Sequence, residues 1–164
     1  MPGEAAGALY VGVIGSGRCD RAAASLAYEL GGLIAAEGWT LVCGGLGGVM
    51  EQACRGARSK GGVTLGILPG NSRAEANPYL SYSVVTGMGE ARNALVVKSS
   101  QAAVAVSGAY GTLSEIALAN AAGIPVIGLQ SWRLDPEQNR GRGLFVREVQ
   151  SPSEAIQAIK SLFP

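Results

Sequence analysis

Apolar and polar positions alternate along the chain in blocks of two kinds. Short apolar runs end abruptly in glycine, and longer Ala-rich stretches carry apolar residues at helical spacing. Tyr10 to Ile14 is such a run, stopped by Gly15-Ser16-Gly17, and it reads as a buried strand. From Asp20 to Glu37 the residues Leu26, Leu30, Leu33 and Ile34 share one helical face, and Gly38 stops the helix. Thr40 to Cys43 predicts a second strand. Val49, Met50, Ala53, Cys54 and Ala57 predict a second helix, ended by Gly61-Gly62.

The alternation continues to the C-terminus. Strands are expected at Val63–Leu68, Ser81–Val85, Ala102–Val106, Pro125–Leu129 and Leu144–Val149. Helices are expected at Glu90–Lys98 and Thr112–Ala122. A last helix opens at Ser151-Pro152-Ser153-Glu154, with Ser as N-cap, Pro at the first helical position and Glu at the third. Polar stretches at 71–79 and 131–143 predict loops. Residues 1–9 read as a flexible tail and 10–164 as a single domain. The predicted fold is α/β, Rossmann-like and doubly wound. It has a mostly parallel sheet of six or seven strands with helices on both faces.

Composition narrows the chemistry. Of 164 residues, 48% are hydrophobic and only 15% charged, and the net charge is +1. No two basic residues are adjacent, which argues against nucleic acid as the main ligand. No long uncharged apolar run or basic leader is present, so neither a membrane span nor a secretory signal is expected. Histidine is absent, which removes His-based catalysis and the common zinc motifs. Three cysteines without CxxC spacing predict no metal site and a reducing, cytoplasmic location. Cys19, beside a helix start, is either an activated thiol or an inert one, and the lack of a cationic partner beyond Arg18 favours the second.

Glycine is the informative excess, with 25 residues. Clusters at 15–17, 44–48, 87–89 and 107–111 all follow strands, and a parallel sheet places such loops along its carboxyl edge, where open α/β sheets bind ligands. The first loop has only half of a dinucleotide fingerprint, and Cys43-Gly44 supplies no acid for an NAD ribose. A phosphate cradle fits better. Its candidates are Gly15, Ser16, Gly17, Gly44, Gly45, Gly47, Gly48 and Met88, with Gly108, Ala109, Tyr110, Gly111 and Thr112.

Glu115 is the only charged residue between Ser99 and Trp132. It reads either as a catalytic carboxylate or as the acid of a Thr112-x-x-Glu115 capping box. Arg92, near a helix start, reads as an anion-binding cation or as a solvated arginine. Tyr110 is the aromatic of interest. Trp39 and Trp132 read as packing residues.

Gly44-Gly45-Leu46-Gly47-Gly48-Val49-Met50-Glu51, with Gly61-Gly62 and Gly66-Ile67-Leu68-Pro69, resembles the glycine pattern of the LOG-like superfamily, formerly called lysine decarboxylase-like. These are Rossmann-type phosphoribohydrolases that release a base from nucleoside 5′-monophosphates. The family signature PGGxGTxxE falls on Ser107 to Glu115, and the arginine of its RK pair on Arg92. Ser107, Ala109 and Asn93 depart from that pattern, and Val11–Gly17, Gly87–Arg92 and Glu115–Ala119 look closer to the branch that includes molybdenum cofactor carrier proteins.

The resemblance therefore implies one of two roles. One is cleavage of an N-glycosidic bond by Arg92 and Glu115. The other is carriage of a phosphorylated pterin. The ligand would be a nucleoside monophosphate or the molybdenum cofactor, with no other cofactor required. The resemblance and the apolar helices near 94–97 and 112–122 together imply a homodimer or a dimer of dimers.

Overall fold

The structure, a computed structural model, describes residues 8–134, 137 and 145–164. The chain runs β1 (Tyr10–Gly15), α1 (Arg21–Ala36), β2 (Thr40–Cys43), α2 (Val49–Ser59), β3 (Thr64–Leu68) and β4 (Tyr82–Val85). It continues through α3 (Asn93–Lys98), β5 (Ala102–Val106), α4 (Tyr110–Ala121), β6 (Val126–Leu129), β7 (Arg147–Val149) and α5 (Pro152–Leu162). Single 3-10 turns lie at Arg73–Glu75 and Gly89–Arg92.

The seven strands form one sheet in the order β4-β3-β2-β1-β5-β6-β7, and every neighbouring pair is parallel. The expected doubly wound α/β fold is therefore present. The chain builds outward from β1 to β4, then returns to lay β5 on the other side of β1. The reversal puts a crevice between β1 and β5 at the carboxyl edge, where ligands bind in such sheets. Register is set by pairs such as Val13 with Val104 and Gly15 with Val106.

Two cores follow from the two sheet faces. Val11, Val13, Leu41, Val104 and Ile127 face α1, α2 and α5. Ile14, Val42, Ile67, Ala103 and Ala105 pack with Val96 and Val97 of α3 and Ile116 and Ala119 of α4. β5 is buried at every position, as a central parallel strand covered on both faces must be. Each fully buried Leu or Ile contributes about 1.5–3 kcal/mol by leaving water.

Helix starts follow the sequence where a cap is available. Asp20 accepts from Ala23 N–H at 2.8 Å to open α1, and Ser151 accepts from Glu154 N–H at 3.2 Å to open α5. Several expectations are corrected. The helix expected over Glu90–Lys98 is a 3-10 turn followed by a shorter α3, because Gly89 enters at φ +57° and the chain turns tightly before Asn93. The last strand begins at Arg147, since Phe145 and Val146 do not pair as strand; Leu144 and most of the expected 131–143 loop lie outside the described residues. Of the expected tail, residues 1–7 also lie outside, while the Leu9 carbonyl accepts from Thr40 N–H at 2.8 Å. No helix among the described residues is long and apolar enough to cross a membrane.

Candidate functional site

A cavity of about 300 Å³ opens at the crevice, at the small end of the range for ligand pockets. Gly15, Ser16 and Gly17 after β1 form one wall; Ala109, Gly111 and Thr112 after β5 form another. Arg92, Asn93 and Glu115 close it from the α3/α4 side.

The walls are held by backbone contacts that need glycine. Val49 N–H donates to the Ser16 carbonyl at 3.0 Å, stitching the loops after β1 and β2 together. A Cβ on Gly48, at φ +62°, would stand 2.3 Å from that same carbonyl oxygen, so no other residue allows the approach. Gly108 plays the same part for Thr112, whose Cβ would be 2.6 Å from a Cβ there. Gly111 differs. A Cβ on it would meet no protein atom within 4 Å, although the residue lines the cavity. Nothing in the folded chain requires glycine at that position.

α4 starts two residues earlier than expected. Ala109 is its N-cap, extended at φ −112°, with no side-chain cap, and its carbonyl accepts from Leu113 N–H at 3.1 Å. Thr112 is thus already inside the first turn, and of the two readings of Glu115 the capping box is not formed. Freed from capping, the Thr112 side chain is 2% exposed and its Oγ1 has no hydrogen-bond partner. A buried hydroxyl left this way costs about 1–3 kcal/mol.

Arg92 is 7% exposed rather than solvated. Its Nη1 donates to Asn93 Oδ1, and Nη2 donates to the Gly44 carbonyl at 3.3 Å. Asn93 Nδ2 in turn donates to Ser114 Oγ at 3.4 Å, tying the start of α3 to α4. Arg92 Nε is buried and has no partner. Two residues that line the cavity thus each keep a buried polar atom short of a bond, one on a cation and one in the first turn of a helix.

Glu115 is also 7% exposed. Burial pushes its carboxyl up to about 7, and the neighbouring Arg92 charge opposes the rise without cancelling it. Burial likewise raises the Cys19 thiol, helped by Asp20 and Glu51, so the activated-thiol reading of Cys19 is not supported.

Of the residues expected at the site, Gly15, Ser16, Gly17, Arg92, Ala109, Gly111, Thr112 and Glu115 meet at the cavity. Gly44, Gly45, Gly47 and Gly48 do not line it; Gly44 lies against Arg92, and Gly47 and Gly48 against the loop after β1. Met88, Gly108 and Tyr110 flank it without lining it. Leu46, Met50, Pro69, Glu90 and Asn93 line it and were not singled out as binding residues. Leu46, Met50, Pro69 and Glu90 fall inside the stretches that carry the family resemblance, and Asn93 is the residue beside Arg92 that departs from the family pair.

The family model for the SLOG cluster4 family matches residues 8–156. The chain belongs to this family. An uncharacterized protein of Archaeoglobus fulgidus is 42% identical to it over 148 residues, 90% of this chain and 92% of the relative. The molybdenum cofactor binding protein of Rippkaea orientalis is 38% identical, with a TM-score of 0.89 over 97% of this chain and 99% of its own. The molybdenum cofactor carrier protein of Chlamydomonas reinhardtii is 37% identical, with a TM-score of 0.81 over 94% and 98%. The SLOG cluster4 match places the chain in the LOG-like superfamily, and molybdenum cofactor carrier proteins are among its structural neighbours.

Proposed function

We propose that this SLOG cluster4 protein binds a phosphorylated small molecule and carries it without cleaving it, with the molybdenum cofactor, a pterin bearing a phosphate, as the cargo. The observation that carries the reading is Thr112, a cavity-lining residue in the first turn of α4 whose buried hydroxyl has no partner. A phosphate oxygen there would accept from Oγ1 and from the first N–H groups of the helix. Arg92 Nε, also unpartnered, would supply a charge-assisted bond. Gly111 leaves open the space into which the anion would settle. The likeness to a cofactor binding protein and a cofactor carrier over nearly their whole lengths supports carriage over hydrolysis.

One observation favours the second reading, a nucleoside 5′-monophosphate phosphoribohydrolase. Glu115 is a buried carboxyl beside Arg92, held near 7, and it would suit acid or base work at an oxocarbenium-like centre. The deciding experiment has two arms. The purified protein is denatured and its released small molecules are identified by mass spectrometry. The parent is also assayed for base release from AMP, GMP, CMP, UMP and a cytokinin monophosphate. Carriage predicts a phosphorylated pterin and no base release. Base release that disappears in Glu115→Gln would establish the hydrolase instead.

The proposal extends to assembly and location. Leu95 of α3 and Leu118 of α4 are 38% and 39% exposed on adjoining helices. These exposed leucines, on helices apolar along most of their length, support a homodimer or dimer of dimers. A cytoplasmic protein that takes no nucleic acid as partner accords with the near-neutral charge and three free thiols.

A further inference from the structure

Two aromatic side chains adjoin the cavity wall at Ala109 without lining the cavity, and Trp132 also lines a separate hollow beside β6 and β7. Tyr110 opens α4 between the lining residues Ala109 and Gly111, and its side chain is 83% exposed. Trp132, after β6, is half-buried against the α3/α4 core. Its indole Nε1 donates to the Ala109 carbonyl at 3.2 Å. The two rings lie 6.3 Å apart between centroids, tilted by 36°. Trp132 is thus fixed by packing and by a hydrogen bond to the wall itself, and Tyr110 leans on it.

A large aromatic surface left in water costs free energy unless something covers it. Here the fold orders that surface instead of burying it. The ordered pair adjoins the turn of helix that holds the unpartnered Thr112 hydroxyl. The cavity is small, about 300 Å³. A phosphate ester seated at the N-terminus of α4 would have its ring close to the next residues of that wall, Ala109 and Tyr110. Ala109 lines the cavity after β5, and the Tyr110 and Trp132 rings adjoin it there.

We infer that Tyr110, braced by Trp132, is a stacking platform for the planar heterocycle of the ligand whose phosphate the cavity holds. The inference rests on the phosphate-binding reading and adds a second subsite to it. The ligand class is a phosphate ester of a flat, nitrogen-containing ring. Stacking is tolerant of ring identity, because every such ring offers a π-face. The aromatic pair would select for the presence of a ring, and the cavity for the phosphate.

The test separates the two subsites. Calorimetric titration compares GMP, whose guanine shares the 2-amino-4-oxopyrimidine ring of a pterin, with ribose 5-phosphate, which has the phosphate and no ring. In the parent protein GMP binds more tightly by about five- to a hundred-fold, the range for one base on one aromatic side chain. In Tyr110→Ala that ratio falls toward one while the affinity for ribose 5-phosphate stays within about twofold. Tyr110→Phe keeps the parent ratio. Trp132→Phe retains a ring but loses the bond to Ala109, and gives an intermediate ratio.

A thermal melt checks each variant; Tyr110 is exposed enough that its truncation leaves the fold intact. Equal binding of GMP and ribose 5-phosphate by the parent, or an unchanged ratio in Tyr110→Ala, overturns the platform and leaves the phosphate cradle standing. Failure of both compounds and of inorganic phosphate to bind overturns the cradle and the platform together.

Discussion

Glu115→Gln tests the electrostatics of the cavity without a ligand. Burial moves the Glu115 carboxyl from its ordinary 4.5 to about 7 in the folded protein. Between those values the folded chain holds a proton that the unfolded chain has lost, so stability falls as pH rises through that window. At about 1.4 kcal/mol per pKa unit, the loss attributable to this one group amounts to about 3 kcal/mol once the pH is well above 7. Glutamine is nearly isosteric and does not titrate. The variant should match the parent near pH 4.5, apart from a constant offset, and gain on it by about 3 kcal/mol at pH 8.5.

Urea unfolding of both proteins at half-unit steps from pH 4.5 to 8.5 measures that difference. The other ionisable groups are common to both chains and cancel in it. Parallel profiles would show that Glu115 is not held in its neutral form, and the electrostatic reading of the cavity would fail. Sulfate, a dianion over this whole range, supplies a second readout. Its affinity for the parent should weaken as Glu115 ionises above pH 7. Its affinity for the variant should stay level, because no carboxylate then opposes the anion.

Three other changes address the cradle and the assembly. Gly111→Ala places a methyl where no protein atom lies within 4 Å; it should leave the melting temperature level or raised by up to about 4 °C and weaken GMP binding at least tenfold, and unchanged binding would mean the glycine is not there for a ligand. Thr112→Val keeps the packing and removes the unpartnered hydroxyl, so it should stabilise the free protein by about 1 kcal/mol and weaken phosphate ester binding by a similar amount, a crossing of signs that a purely structural threonine would not produce. Leu118→Arg should shift a dimer toward monomer by light scattering at micromolar concentration, and a dimer that survives it is built on another face; Val96, although on α3, is fully buried within the protomer, and a charge there would unfold the chain before it tested the interface.

Much of the architecture is legible in the sequence because it is local. A period of two or of 3.6 is set by residues a few positions apart, and it marks β1, α1, β2, α2 and β5 within a residue or two of their observed bounds. Glycine after each strand marks the carboxyl edge for the same reason, since a turn is decided by the residues that make it. Tertiary structure decided the rest. Strand order depends on which distant segments pair, and only that order puts the crevice between β1 and β5. The start of α4 depends on whether Thr112 caps or is covered, and packing against Gly108 covers it. Arg92 reads equally well as a solvated arginine until Gly44 and Asn93 are seen to hold it from behind. The raised Glu115 carboxyl has the same origin. Charge and hydrogen-bonding capacity belong to a residue, but desolvation belongs to its surroundings, and those are assembled from segments up to about a hundred positions apart in the chain.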